Sequence, residues 1–310
     1  MNSSKPSTDP NWDLYRSFLE VFERGSLSGA ARALGLTQPT LGRHIDALEE
    51  AIGIALFTRS PSGFIPTDAA LALHPYAKTL ASTAAALLRE ATGHGQAVRG
   101  TVRISASEVI GIEVLPPILS ALRTTYPDLV FELTLSSRVE DLLRREADIA
   151  VRMVRPGQDA LIARRIGDIQ LGFHARRDYL ERHGTPQTWD ELTKHAIVGY
   201  DTETAFVRSA RRTLRGFSRE NFALRTDSDI AQLAAIRAGF GIGICQVRLA
   251  ERDPSLVRLM PDALDLKLET WIAMHEDLRN SPRCRATFDA LVAGLQQYID
   301  ASQATRDAAL

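Results

Sequence analysis

The chain has 310 residues, 45% of them hydrophobic and 24% charged, with a net charge of −1. That length supports two or three domains with proper cores, and the near-neutral balance argues against a protein that coats polyanions or membrane surfaces. No apolar run approaches membrane-spanning length and MNSSKPSTDPNW has no apolar signal segment. Cys245 and Cys284 are too few for a disulfide framework, so a cytoplasmic protein with no membrane contact is expected.

Leu14, Phe18, Val21 and Phe22 fall on one face of a helix that Gly25 can close. In LSGAARALGLTQPTLGRHIDALEE, Ala30, Ala31 and Leu34 share a face before Gly35, while Leu41, Ile45 and Leu48 recur at i, i+4 and i+7 after it. Two short helices broken at Gly35-Leu36 follow. Ser28 and Thr37 stand where N-cap residues belong, and Pro39 falls in the first turn of the second helix. Alanines let the two backbones cross closely, as in a helix-turn-helix.

The second helix leaves Gln38, Thr40, Gly42, Arg43 and His44 outside its apolar stripe and holds Glu49 and Glu50 back to its end. A helix entering the DNA major groove needs hydrogen-bonding side chains in its leading turns and no carboxylates there facing phosphates. An ordinary helical hairpin with a solvated face shares the pattern. IGIALFTRSPSGFIPT then predicts a helix end and two extended pieces around Ser60-Pro61-Ser62-Gly63, a wing with Arg59 at its base. Arg59 is either a contact to phosphates or an adjacent minor groove, or a solvated loop cation. Thr67 can cap a long helix to about Ala91, with Leu73, Leu80 and Leu87 at seven-residue intervals, the spacing of a coiled-coil seam that Pro75 interrupts. Up to Thr92 there are eight basic and nine acidic side chains. DNA affinity must then rest on a few placed arginines, backbone amides and paired half-sites, which implies a dimer or larger.

The segment FLEVFERGSLSGAARALGLTQPTLGRHIDALEEAIGIALFTR, Phe18 to Arg59, resembles the N-terminal signature of the LysR-type transcriptional regulators, including Ser26, Ala30-Ala31, Gln38-Pro39, Leu48-Glu49 and Leu56-Phe57 with Arg59. The family usually has Ser where this chain has Gly42 and Gly where it has Ala70. The resemblance implies a double-stranded DNA operator as partner, a homodimer or homotetramer paired through the long helix, contact with the transcription machinery, and a small-molecule effector. It implies no cofactor or metal.

Gly93-His94-Gly95-Gln96-Ala97 reads as a hinge. Beyond it TVRISAS, LVFELTLS and ADIAVRM are strands alternating with the helices LPPILSALRTTYP and VEDLLRRE, which predicts parallel βαβ units. After Gly167 the alternation resumes: strand Gln170 to His174, helix Arg177 to His183, strands AIVGY and FALRT, helix DSDIAQLAAIRAG and strand GIGIC. A strand from about Leu268 to His275 leads back to a terminal helix opened by Pro282 with Ser281 as cap. Two α/β lobes joined by crossovers near Gly167 and Glu269 would enclose a cleft. This layout is similar to the type II periplasmic-binding-protein fold of the LysR effector domain.

The expected organisation is a winged helix-turn-helix over residues 10–67, a linker helix over 68–92, a hinge over 93–99 and an effector domain over 100–302. Lobe I takes 100–167 and 269–302, and lobe II takes 168–268. Ligands in such folds bind beyond strand carboxyl ends at helix N-termini. Ser107-Glu108-Val109 and Thr226-Asp227-Ser228 qualify, with Arg152, Tyr200 and Asp201 facing the same gap. Free N–H groups and Arg152 favour a small carboxylate, whereas Glu108 and Asp227 would repel one and accept from hydroxyl or amine groups. For each of these residues a cap, a loop acid or an internal ion pair is the competing reading. The run Arg208, Arg211, Arg212, Arg215, Arg219 reads as an exposed face.

An enzyme is the rival class, but GFGIG follows a helix and enters a strand, the reverse of a dinucleotide fingerprint. No GxSxG, HExxH, Walker or clustered Cys/His motif occurs. A solute-binding protein leaves the N-terminal ninety or so residues unexplained, and a DNA-architectural protein leaves the α/β part unexplained.

Overall fold

The computed structural model describes residues 9–60, 63–92, 97–136, 147–156, 161–203, 205–210, 213–214 and 217–307. The chain divides into two compact units, the first ending at Arg89 and the second running from Glu90. The expected helix VEDLLRRE, hinge residues 93–96, Pro61-Ser62, Arg211, Arg212 and Arg215 lie outside the described residues.

In the first unit α1 (Trp12–Arg24) is capped by Asn11 and closed by Gly25 at φ 64°. Next come α2 (Leu27–Leu34) and α3 (Gln38–Ile52), separated by Gly35 at φ 66°, a left-handed position that suits glycine. The cap of α2 is Ser26 and not Ser28: Ser26 Oγ accepts from the Gly29 amide at 3.2 Å. Starting the helix at Leu27 lets that side chain pack on the core, and Ser28 is left exposed inside the first turn. Thr37 caps α3, accepting from the Thr40 amide at 3.3 Å, with Pro39 in the first turn. Phe18, Val21, Ala30, Ala31, Leu41, Ile45 and Leu48 form the buried centre.

The antiparallel wing, β1 (Phe57–Ser60) and β2 (Gly63–Pro66), leans on the end of α1, where the Phe64 amide donates to Gly25 O at 2.9 Å. Gly63 sits at φ 123°, and a Cβ there would lie 2.4 Å from that same carbonyl oxygen, so no other residue fits without moving backbone. The long helix α4 (Asp68–Thr92) is capped by Thr67 and contains Pro75.

The second unit opens with β3 (Gly100–Ala106), a single π turn (Ile110–Val114) running into α5 (Leu115–Thr125), β4 (Leu129–Leu135), β5 (Ile149–Arg152) and β6 (Leu161–Arg176). Then follow α6 (Arg177–His183), α7 (Trp189–Leu192), β7 (Ile197–Gly199), α8 (Ala205–Ala210), β8 (Phe222–Arg225) and α9 (Asp229–Arg237). The chain closes with β9 (Gly243–Gln246), α10 (Val247–Ala250), β10 (Leu256–Leu259), β11 (Leu266–His275) and α11 (Pro282–Asp307).

The expected parallel pairing is found for β4, β3 and β5, and for β7 with β8. β11 runs antiparallel to β5 and β6, and β6 runs antiparallel to β9 and β10. The cause is connectivity: β6 and β11 carry the chain out of one lobe and back, so they traverse both lobes instead of belonging to a βαβ unit. The strand expected at Gln170 to His174 is the inner end of this 16-residue β6. Both crossovers show as irregularities, Gly167 at φ 156° and a register slip between Thr270 and Trp271. Lobe I is centred on Ile104, Ile110, Leu115, Ile149, Leu291 and Leu295, and lobe II on Phe173, Tyr179, Leu192, Ile242 and Leu259. Ser281 precedes α11, but its Oγ is buried without a hydrogen-bond partner among the described residues, so it does not cap through its side chain.

Candidate functional site

On α3, buried Leu41, Ile45 and Leu48 face the core, while Gln38, Pro39 and Arg43 are exposed. Neither Gln38 nor Arg43 has a side-chain partner among the described residues, so both can hydrogen-bond outward. The Thr40 hydroxyl lies 2.8 Å from Thr37 Oγ1, which ties both hydroxyls to the cap. His44 points back toward α1, its Nδ1 2.8 Å from Ser17 Oγ, and is half-buried. A Cβ on Gly42 would meet only Leu27 Cδ1, at 3.7 Å. Ser28 is exposed on α2, its carbonyl accepting from Arg32. Arg59 is exposed on the wing but pairs with Asp46 at 3.0 Å and lies over the Phe64 ring. Glu49, seen in the sequence only as an acid kept away from phosphates, accepts from the Leu56 and Phe57 amides at 2.7 and 3.1 Å and so fixes the start of the wing.

Between the lobes lies a cavity of about 460 Å³, and Ser107, Val109, Arg152, Tyr200 and Asp227 are on its wall. Glu108, Asp201, Thr226 and Ser228 are not. Asp201 is exposed and paired with Arg219 at 2.7 Å. The Thr226 hydroxyl accepts from the Ser228 amide. Glu108 and Ser228 bridge the lobes instead: Ser228 Oγ donates to Glu108 Oε2 at 2.7 Å, and the Ile230 amide donates to the same oxygen at 3.3 Å. Helix α9 therefore presents its N-terminus to a carboxylate of the protein itself.

Arg152 is buried, its guanidinium donating to Ser105 O, Val151 O and Ser105 Oγ at 3.0, 3.0 and 2.7 Å. Tyr200 donates to Asp229 Oδ1 at 2.7 Å, and burial with the adjacent Asp229 charge raises its hydroxyl pKa. Burial and the nearby Glu108 charge raise the Asp229 carboxyl as well, whereas hydrogen bonds from Thr202 hold Asp227 low. Sequence reasoning missed most of the wall, notably Phe206, Leu214, Phe217 and Leu268, because apolar residues in loops and strands look like core. Asp229, one residue past the expected cluster, was missed for lack of any periodic signal.

Cys245 also lines the cavity, with Sγ 3.3 Å from His174 Nδ1. Nδ1 donates its proton to Gly172 O at 2.9 Å and so cannot accept the thiol proton. Burial pushes the thiol up to about 12 and the imidazole down to about 4, the reverse of an activated thiolate–imidazolium pair.

Two family descriptions match: "Bacterial regulatory helix-turn-helix protein, lysR family" over residues 12–71, and "LysR substrate binding domain" over residues 95–296. An HTH-type transcriptional regulator of Xanthomonas campestris pv. campestris is 31% identical over 182 residues, 58% of this chain and 53% of that protein. The chain thus spans about half the length of that relative. The solved structure of CrgA, a LysR-type transcriptional regulator from Neisseria meningitidis, is similar with a TM-score of 0.57 at 23% identity, covering 93% of this chain and 99% of that one. Full-length CbnR complexed with its target DNA is similar with a TM-score of 0.65 at 20% identity, again covering 93% and 99%. These two likenesses show a shared fold, and the two descriptions account for both units just described. From its helix-turn-helix and wing to its two-lobed substrate-binding domain, the chain belongs to the LysR family of bacterial helix-turn-helix regulators.

Proposed function

We propose that the chain is a sequence-specific DNA-binding transcriptional regulator whose operator binding or activation responds to a small molecule held between the two lobes. The observation that carries this is α3, whose inner face is buried while Gln38 and Arg43 stand exposed and unpartnered on its leading half, inside a domain matching the LysR helix-turn-helix description. Arg43 and Gln38 read base edges; Thr37, Thr40, Gly42 and the α3 N-terminus lie against the backbone; Arg59 reaches phosphates from the wing, exchanging Asp46 for them. Ser28 is a further backbone contact, and His44 supports α3 through Ser17. The protein acts as a homodimer or homotetramer, since α4 exposes Tyr76, Leu80 and Leu87 at 72, 47 and 66%. It works in the cytoplasm and has no enzymatic role. No helix among the described residues is long and apolar enough to cross a membrane. Selection of bound sequences from a random DNA pool by the purified full chain tests the reading. Enrichment of paired half-sites is expected, and a pool that stays random after repeated rounds refutes it.

A further inference from the structure

The volume of the inter-lobe cavity, about 460 Å³, falls within the range of small-molecule sites. Its wall is largely aromatic and aliphatic, and Phe217 and Phe222 lie nearly parallel with centroids 6.4 Å apart. The α9 amides from Ile230 to Gln232 and the side-chain donors of Arg152, Tyr200 and Gln232 are already engaged. On α9 the Ile230 amide goes to Glu108 Oε2, the Ala231 amide to Ser228 Oγ and the Gln232 amide to Ser228 O. The Arg152 guanidinium is spread over Ser105 and Val151, the Tyr200 hydroxyl is given to Asp229, and Gln232 Nε2 donates to Thr226 O. The remaining polar side chains, Ser107 and Gln246, are neutral.

Acceptors are the opposite case. Asp229 uses Oδ1 for Tyr200, and its Oδ2 has no hydrogen-bond partner among the described residues. Asp227 shares the wall, and Glu108 stands close enough to act on Asp229. A carboxylate entering here would meet carboxylates and no free cationic donor, while a donor group would satisfy Oδ2 and the rings would take an apolar frame.

Resting on the regulator reading above, we infer that the cavity takes an apolar, ring-sized molecule carrying an amine or hydroxyl, which donates to Asp229, and that it discriminates against carboxylates.

Calorimetry on the full chain with three probes of one skeleton, 2-naphthylmethylamine, 2-naphthylmethanol and 2-naphthoate, tests this. At least one donor probe should bind about tenfold or more tightly than naphthoate, the size expected of a charge-assisted hydrogen bond. Asp229→Asn should remove most of that advantage. Naphthoate binding within tenfold of the tighter donor probe, or no binding by any of the three, overturns the inference on the wild-type chain alone, whether or not the variant folds. Operator selection without probe, on the same preparation, is a separate readout. Its failure rejects the regulator reading and leaves the probe ranking to decide the ligand class.

Discussion

At the scale of single residues, His174 shows how burial translates into pH dependence. It is 2% exposed, next to the Cys245 thiol and the Arg258 charge, and burial lowers its pKa from 6.5 to about 4. The unfolded chain takes up a proton near 6.5 that the folded chain refuses until about 4. The associated stability is therefore fully present above 6.5 and is lost as pH falls from there to about 4, a total loss of roughly 3 kcal/mol. Urea unfolding of wild type and His174→Gln should show this slope in wild type only; equal slopes would mean that the imidazole is protonated in the fold. Arg43 is the corresponding test on the DNA side. Arg43→Ala should weaken operator binding by about 1–3 kcal/mol and relax base preference at one position. Fluorescence anisotropy on operator variants at fixed salt checks it, and unchanged affinity and preference would take Arg43 off the DNA. Residues with a local backbone duty, Thr37, Gly35 and Gly25, were legible in the sequence because caps depend on neighbours a few positions away. Thr226 and Asp201 were not, since their direction is set by Ser228 and Arg219. The choice of Ser26 over Ser28 also lay beyond local rules, because both serines can cap and only packing of Leu27 decides.

At the scale of elements, periodicity located every α-helix of seven or more residues among the described residues, and α3 and α4 show what it does and does not tell. The apolar stripe of α3 is buried where expected, but the helix contains Gly42 in open van der Waals surroundings. Gly42→Ala should therefore add about 0.5–1 kcal/mol of stability without a clash, measurable by denaturant unfolding; a loss would mean that the site is tighter than it looks. On α4 the Leu73, Leu80 and Leu87 interval is an exposed apolar stripe, which is what an intermolecular seam requires. Leu80→Lys with Leu87→Lys should give monomers or weakened dimers that bind paired half-sites poorly. Sedimentation velocity at low concentration decides, and an unaltered profile would assign this face to something other than self-association. The short elements α7, α8, α10 and β10 span only four to six residues and carry too little pattern to read. The strand direction of β6 and β11 follows from a chain path that local sequence does not encode.

At the scale of the two-lobed unit, the π turn (Ile110–Val114) and its flank bridge the lobes beside the cavity wall that Ser107 and Val109 form. Glu108 accepts from Ser228 and Ile230 at the N-terminus of α9, and Glu113 takes both Arg237 guanidinium nitrogens at its C-terminal end. Arg252 adds a bond to Glu113 O at 3.0 Å. One helix of lobe II is thus clamped at both ends by two acids of lobe I, each acid facing the end of α9, or the cation there, that it suits electrostatically. A ligand can shift such a unit only by preferring one lobe arrangement over another, so the clamp sets the baseline from which any effector works. The Arg237–Glu113 pair is partly exposed, 34 and 20%, and after solvent screening its loss should cost on the order of 1 kcal/mol, about a fivefold gain in the open population. Hydrogen exchange reads this directly. Glu113→Gln should speed exchange of the Ile230, Ala231 and Gln232 amides several-fold, while Phe173 in β6 keeps its wild-type rate because that strand runs through both lobes without depending on the clamp. Equal exchange at all four amides in variant and wild type would show that the lobes are held by β6 and β11 alone.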